Sequence, residues 1–186
     1  ANVYSGVKLA KNFLRAGENI EVDGVIVDVD GKAVPNKKMT VKAARIEWQQ
    51  KGGSDEYEEK ELETQTCEIE SPAAPTPTTE KLHCSFKTAQ GGTYRVWSLV
   101  TDEHGRKNET ATSLWVMGAD NPKDRSLERA KVNLVLDKKE YRPGDLAEIL
   151  VVAPFAPSEG LMTVQRQGIV HVERFSMKTT SQALKV

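Results

Sequence analysis

The chain has 186 residues, with 26 Lys and Arg against 27 Asp and Glu, for a net charge of −1. That balance gives no drive toward polyanions or acidic membranes, and the longest apolar runs, such as ILVVAPF, are far too short to cross a bilayer. The length allows one or two domains, and the N-terminus ANVYSGVKLA lacks an apolar leader core, as expected of a mature or excised piece.

Helical periodicity is almost absent, and β signals follow one another along the chain. A first strand is predicted over 7–13. A second covers 18–28, with Ile20, Val22, Val25 and Val27 as its apolar members. Gly24 falls where that alternation slips, which predicts a bulge. DVDGKAVPN then turns the chain. The third strand is predicted over 38–50, and KGGSDEYEE reads as a solvated charged loop. The fourth covers 60–71. PAAPTPTT cannot lie inside a strand, because proline has no N–H to give to a ladder. The fifth, sixth and seventh strands are predicted over 80–88, 93–102 and 108–117, separated by AQGG and EHGRK. Seven strands at this spacing point to an immunoglobulin-like sandwich, and Tyr94, just after a Gly-Gly pair, sits where a tyrosine corner would be.

Residues 120–130 are polar, contain proline and read as a linker. After them the pattern restarts: KVNLVLD as a strand, RPGD as a turn, LAEILVVAPF as a strand, APSEG as a turn, then LMTVQRQ and GIVHVERFSM. This second stretch repeats the first. Aligning Gly17 with Gly144 sets Arg15 on Arg142, Glu18 on Asp145, Glu21 on Glu148, Leu14 on Tyr141, and Val7 and Leu9 on Leu134 and Leu136. MTVKAAR from Met39 matches MTVQRQG from Met162. The expected fold is therefore all-β: tandem immunoglobulin- or fibronectin-III-like antiparallel sandwiches. A complete seven-stranded unit covers 1–119, a linker 120–130, and a partial unit of about four strands 131–186. The partial unit should carry an open sheet edge.

The chain's two cysteines are too few for a disulfide scaffold and fit no zinc spacing. Cys67 and Cys84 flank the proline-rich segment. If the fourth and fifth strands form a hairpin, Ile69 faces Leu82, Gln65 faces Phe86, and the cysteines meet across the pair. A disulfide would then fit the geometry and imply an oxidising compartment. The alternative is two buried thiols acting as small apolar residues. A reactive thioester would need a Gln three residues after Cys67, and Glu70 stands there. DVDGK starts like a calcium loop but lacks its later oxygen ligands and helices, so an Asp-Gly turn is expected. His83, His104 and His171 stand in no nucleophile-elbow context and read as surface groups. Asn108-Glu109-Thr110 is a sequon, with meaning only in a secreted eukaryotic protein. Trp48, Trp97 and Trp115 lie on three different strands and read as core or domain-interface residues rather than a stacking platform. No catalytic, metal or cofactor constellation emerges, and an enzyme is not expected.

The stretch VNLVLDKKEYRPGDLAEILVVAPFAPSEGLMTVQRQGIVHVERFSM resembles the opening of a macroglobulin-like domain of the bacterial alpha-2-macroglobulin family. GGTYRVWSLVTDEHGRKNETATSLWVMGAD resembles the end of the preceding one. The resemblance implies a broad-spectrum endopeptidase inhibitor that traps proteases after a bait segment is cut. This chain would supply structural scaffold, without a thioester of its own. The implied partners are neighbouring macroglobulin-like domains of a longer chain and, through that chain, target proteases; nucleic acid is not among them. The implied location is the periplasm, in a parent lipoprotein anchored at the inner membrane by a group outside this sequence, or elsewhere in the cell envelope. A repeat module of a bacterial surface adhesin or stalk is the competing reading.

Overall fold

A computed structural model describes residues 1–52, 56–73, 82–118 and 131–186. The predicted linker at 120–130 and most of PAAPTPTT lie outside the described residues. Those described form an all-β chain with strands β1 (Tyr4–Leu9), β2 (Phe13–Arg15), β3 (Asn19–Val27), β4 (Lys38–Gln50), β5 (Tyr57–Glu70), β6 (Leu82–Lys87), β7 (Gly92–Thr101) and β8 (Lys107–Met117). The second stretch holds β9 (Asn133–Leu136), β10 (Glu148–Val152), β11 (Ser158–Gln165), β12 (Ile169–Met177) and β13 (Ser181–Lys185).

A three-stranded sheet of order β1-β3-β6 packs on a five-stranded sheet of order β2-β8-β7-β4-β5. Period-two alternation supplies the core between them. Ile20, Val22 and Ile26 point in from β3, Met39, Val41 and Ala43 from β4, Tyr94, Val96 and Val100 from β7, and Leu114 and Val116 from β8. Fully burying an aliphatic side chain of this size contributes about 1.5–3 kcal/mol.

Three expectations are corrected here. The predicted strand over 7–13 breaks at residues 10–12, and its ends enter different sheets: β1 pairs antiparallel with β3, whereas β2 pairs parallel with β8. Gly24 is not a bulge. Its pairing with Val7 and Leu82 runs in register, and the alternation continues through it, so Ile20, Val22, Gly24 and Ile26 face the core. Val25 and Val27 take the other face. A Cβ on Gly24 would stand 2.5 Å from Met39 Cε, so the glycine makes room for a fully buried methionine. The third correction concerns the cysteine strands. β5 pairs with β4 and β6 with β3, so no hairpin joins them. The irregularity of this unit lies in β5 instead. Register shifts between Ala43 and Arg45, and Glu63 takes φ +53°.

The second stretch has a sheet of order β13-β10-β9 and a separate β11-β12 hairpin. Its strand β13 has no counterpart in the sequence reading. Val151, Ala153, Met177 and Leu184 form a small core on which Met162 and Phe175 pack.

The repeat is visible atom by atom. Gly17 and Gly144 both take φ +92°, a conformation that glycine reaches without a Cβ clash. In the first copy Glu18 N donates to Arg15 O, and the Glu18 carboxylate accepts from Arg15 N at 2.7 Å. In the second, Asp145 N donates to Arg142 O, and its carboxylate accepts from Arg142 N at 3.0 Å. Ala10 N to Glu21 O recurs as Asp137 N to Glu148 O.

Candidate functional site at the seam between the two copies

The outer face of the five-stranded sheet is not left to solvent along β2 and β8. On β8 the residues alternate, so Leu114 and Val116 fill the sandwich while Trp115 and Met117 point away from it. Phe13 pairs directly with Trp115. On β10 the same alternation sends Leu150 and Val152 one way and Val151 the other. Phe13, Leu150 and Val152 meet and are almost fully buried, with Trp115, Met117, Val135 and Ala183 packed around them. The apolar seam has a polar margin. Asn12 Nδ2 donates to Leu136 O at 2.9 Å, and Arg15 pairs with Glu148. The turn of the first copy thus holds the opening of the second copy's β10. A cleft of about 520 Å³ runs beside it, lined by Lys8, Asn12, Ser113, Asp137, Lys138 and Glu140 among others. Trp115 Nε1 is buried without a hydrogen-bond partner among the described residues.

Two constructions stiffen the unit that carries this seam. The first is at Tyr94. Its hydroxyl lies 3.2 Å from Gln90 O, the backbone bond of a tyrosine corner, and 2.9 Å from Glu63 Oε2. Burial and the adjacent Glu63 carboxylate push its pKa up to about 12. Glu63 also accepts from Arg45 Nε at 3.1 Å, and Glu47 takes the other side of the same guanidinium. Burial works against the charge of Arg45, but the two carboxylates outweigh it and raise its pKa. The β5 irregularity at Glu63 is what turns that carboxylate toward the buried Arg45 and Tyr94.

The second is the disulfide. Cys67 and Cys84 are joined with Cα atoms 6.2 Å apart. Because β5 and β6 are the edge strands of opposite sheets, the bond ties sheet to sheet rather than strand to neighbouring strand. Beside it, Gln65 Nε2 donates to Lys87 O at 2.8 Å and Gln65 Oε1 accepts from Lys87 N at 3.0 Å. The side-chain amide thus occupies the backbone edge of β6 as a strand would.

The other sequence candidates scatter. His83 lies between Glu21 and Asp23 on the exposed face of the three-stranded sheet, with its ring nitrogens 2.8 and 3.3 Å from their carboxylates. The hydrogen bonds its ring gives to the Asp23 and Glu21 carboxylates raise its pKa. His104 is in the turn before β8, and His171 sits near Glu173 on β12. Asp28 Oδ1 accepts from Asp30 N and Lys32 N, closing the DVDGK turn on itself. Asn108 of the sequon has its Oδ1 engaged by Ser5 N at 2.9 Å. Of the tryptophans, Trp115 is the interface residue expected. Trp97 and Trp48 are neither core nor seam: Trp97 lies on the outer sheet face with Lys42 Nζ 4.1 Å from its ring centroid, and Trp48 is partly exposed beyond the end of β7. Among the described residues no group of three or more His, Cys, Asp and Glu side chains could hold a metal ion.

No family model matches the chain. An alpha-2-macroglobulin homolog of Nostoc sp. (strain PCC 7120 / SAG 25.82 / UTEX 2576) is 23% identical over 157 residues, which is 82% of this chain and 8% of that protein. Among solved structures, the native conformation of E. coli alpha-2-macroglobulin aligns at 20% identity and a TM-score of 0.44, over all of this chain and 13% of its own. Salmonella alpha-2-macroglobulin reacted with methylamine gives 19% and 0.42, over all of this chain and 12% of its own. By sequence the chain is similar to an alpha-2-macroglobulin homolog and spans a small part of that protein's length.

Proposed function

We propose that this chain is a scaffold segment of a protease-trapping alpha-2-macroglobulin-type inhibitor, in which its two β units hold a fixed relation. The similarity to an alpha-2-macroglobulin homolog over 82% of the chain is the observation that carries the reading. The buried Phe13, Leu150 and Val152 seam supports it, because a scaffold that positions other segments needs rigid joints between its units. Its partners in this reading are neighbouring domains of the parent chain and, through the parent, target proteases. A periplasmic or other cell-envelope location follows from the same reading. The Cys67–Cys84 disulfide favours an oxidising compartment, where such bonds persist.

Two arms test the proposal. Residues 1–186 alone, mixed with trypsin, should leave cleavage of a large protein substrate unchanged. The parent protein should suppress that cleavage while a small chromogenic substrate is still cut. Suppression by the isolated segment would show that it inhibits directly. A parent that suppresses nothing would favour a surface stalk built from the same modules.

A further inference from the structure

β1 has a free edge that opens into the cleft beside the seam. Among the described residues it pairs with β3 alone, and hydrogen bonds at its two ends fix which backbone groups point where. Ala10 N donates to Glu21 O, so the even-numbered residues of this segment turn their N–H and C=O groups toward β3. Ser5 N donates instead to Asn108 Oδ1 at 2.9 Å, and Ser5 O accepts from Thr110 Oγ1 at 2.8 Å, so the odd-numbered residues turn theirs toward β8. Side chains of β8 thus finish this edge at Ser5. At Val7 and Leu9 the same outward N–H and C=O groups meet no hydrogen-bond partner among the described residues. Both residues line the cleft of about 520 Å³.

Other edges of the same unit are defended. The Gln65 amide occupies the backbone of β6 at Lys87, and β5 carries a register shift and a dense row of charges, devices by which natural edges resist pairing. On β1 the guard is one lysine. Val7 and Leu9 send their side chains into the core, and Lys8 between them is exposed on the opposite face. The facing wall of the cleft adds Lys138 and Lys139, from the turn between β9 and β10. Lys8 and Lys139 make no salt bridge among the described residues, and Lys138 lies 5.8 Å from the Tyr141 ring centroid. Asp137 on that wall is committed, because its carboxylate accepts from the Tyr141 hydroxyl at 2.6 Å and from Glu148 N at 2.9 Å. The cleft therefore surrounds a free strand edge with ammonium groups. Such an edge turns away a basic strand and admits one that brings carboxylates.

We propose that the β1 edge is a docking site for an extended acidic segment of a partner protein, which adds to the sheet as a strand antiparallel to β1. The residues opposite Val7 and Leu9 exchange backbone hydrogen bonds with them. Those two residues are small and apolar, because their side chains take the core-facing side of the sheet. The residue between them stands opposite Lys8 and is acidic, a cross-strand pair of opposite charge. Lys138 and Lys139 draw the flanking carboxylates by charge. This assignment does not depend on protease trapping.

The test titrates the isotope-labelled 186-residue protein with acetyl-Glu-Val-Glu-Val-Glu-amide, up to millimolar peptide, and follows NMR shifts and amide hydrogen exchange. The expected result is saturable binding with slowed exchange at the Val7 and Leu9 amides. The Lys8 amide, which already faces β3, should not change. N-methylation of both peptide valines, whose N–H groups face β1, should weaken binding about tenfold or more, whereas N-methylation of the central glutamate should not. Lys8→Glu should weaken binding, and acetyl-Lys-Val-Lys-Val-Lys-amide should not bind. Absence of saturable binding, equal binding of the lysine peptide, or protection that leaves out Val7 and Leu9 overturns the proposal. Slow exchange at Val7 and Leu9 without peptide also overturns it. If that protection is independent of protein concentration, the chain itself fills the edge; if it rises with concentration, a second copy does.

Discussion

Single residues at the buried end of the first core carry more than their share of its order. Tyr94 was legible in the sequence as a corner tyrosine, because a Gly-Gly turn before a strand is a local signal. Arg45 was not. Its strand reads as an ordinary alternation, and only the register shift opposite it brings Glu63 within reach of the buried guanidinium. Removing the Tyr94 hydroxyl with Tyr94→Phe should cost about 1 kcal/mol in chemical denaturation. Arg45→Ala should cost about 3–5 kcal/mol, because it strands Glu47 and Glu63 beside a closed core. A smaller loss for Arg45 than for Tyr94 would show that water reaches the two carboxylates freely. Two charged groups, one buried and one exposed, give opposite pH signatures. Burial opposes ionisation of Asp102, but the N–H groups of Arg106, Asn2 and His104 and the Arg106 guanidinium hold its pKa far below the usual range. Its folded state therefore binds the proton less tightly than the unfolded chain does. Its contribution is in place above about pH 4 and drains as pH falls. For His83, raised by Asp23 and Glu21, the contribution is in place below about pH 6.5 and is lost as pH rises through the higher folded value. An NMR titration should find the His83 midpoint above 6.5 and see it fall in Asp23→Asn. A midpoint unmoved by that substitution would remove the cross-strand carboxylates as its cause.

Strands and turns were the most readable level. The Gly17 and Gly144 turns follow from residue types a few positions apart, so the repeat could be seen before any coordinates. The bounds of β4 were readable too, because KMTVKAARIEWQQ runs without Gly or Pro between Pro35-Asn36 on one side and a Gly-containing stretch on the other. Strand partners were less so. Nearness in sequence suggested a Cys67–Cys84 hairpin, yet pairing across the sandwich, set by core packing far along the chain, placed β5 and β6 in different sheets. Gly24 misled for a related reason. It was read as a slip because Val25 and Val27 follow it out of phase with Ile20 and Val22, whereas it is the in-facing position that a buried Met39 leaves no room to fill. The disulfide closes a segment with a sequence separation of 17, for which loop-closure entropy gives about 3 kcal/mol. Cys67→Ser with Cys84→Ser should lower stability by about 2–4 kcal/mol and lower the Tm to match. An unchanged Tm would mean that Gln65 and the core hold the two edges without it. At Gly24, Gly24→Ala should cost about 1–3 kcal/mol as the Met39 methyl is displaced within a filled core.

For the whole molecule the seam decides whether two β units behave as one body. Nothing local in the sequence announces it. Phe13, Trp115, Leu150 and Val152 are far apart in the chain, and each sits at an ordinary alternating position whose partner is set by the second unit. The family resemblance was legible in the order of turns and strands, but it did not indicate which faces would touch. Phe13→Asp buries a carboxylate against Leu150 and Val152, so it should uncouple the units while the first core, which Phe13 does not enter, stays folded. In thermal unfolding, the wild-type chain should then show one transition and the variant two. The most direct test of the scaffold role is made in the parent protein. Trypsin is incubated with wild-type parent or with parent carrying Phe13→Asp, and cleavage of a large protein substrate is measured against cleavage of a small chromogenic one. The wild type should shield the large substrate, and the variant should lose most of that shielding while both leave small-substrate cleavage intact. Equal shielding by the variant would contradict the claim that this segment serves as a rigid joint of the trap.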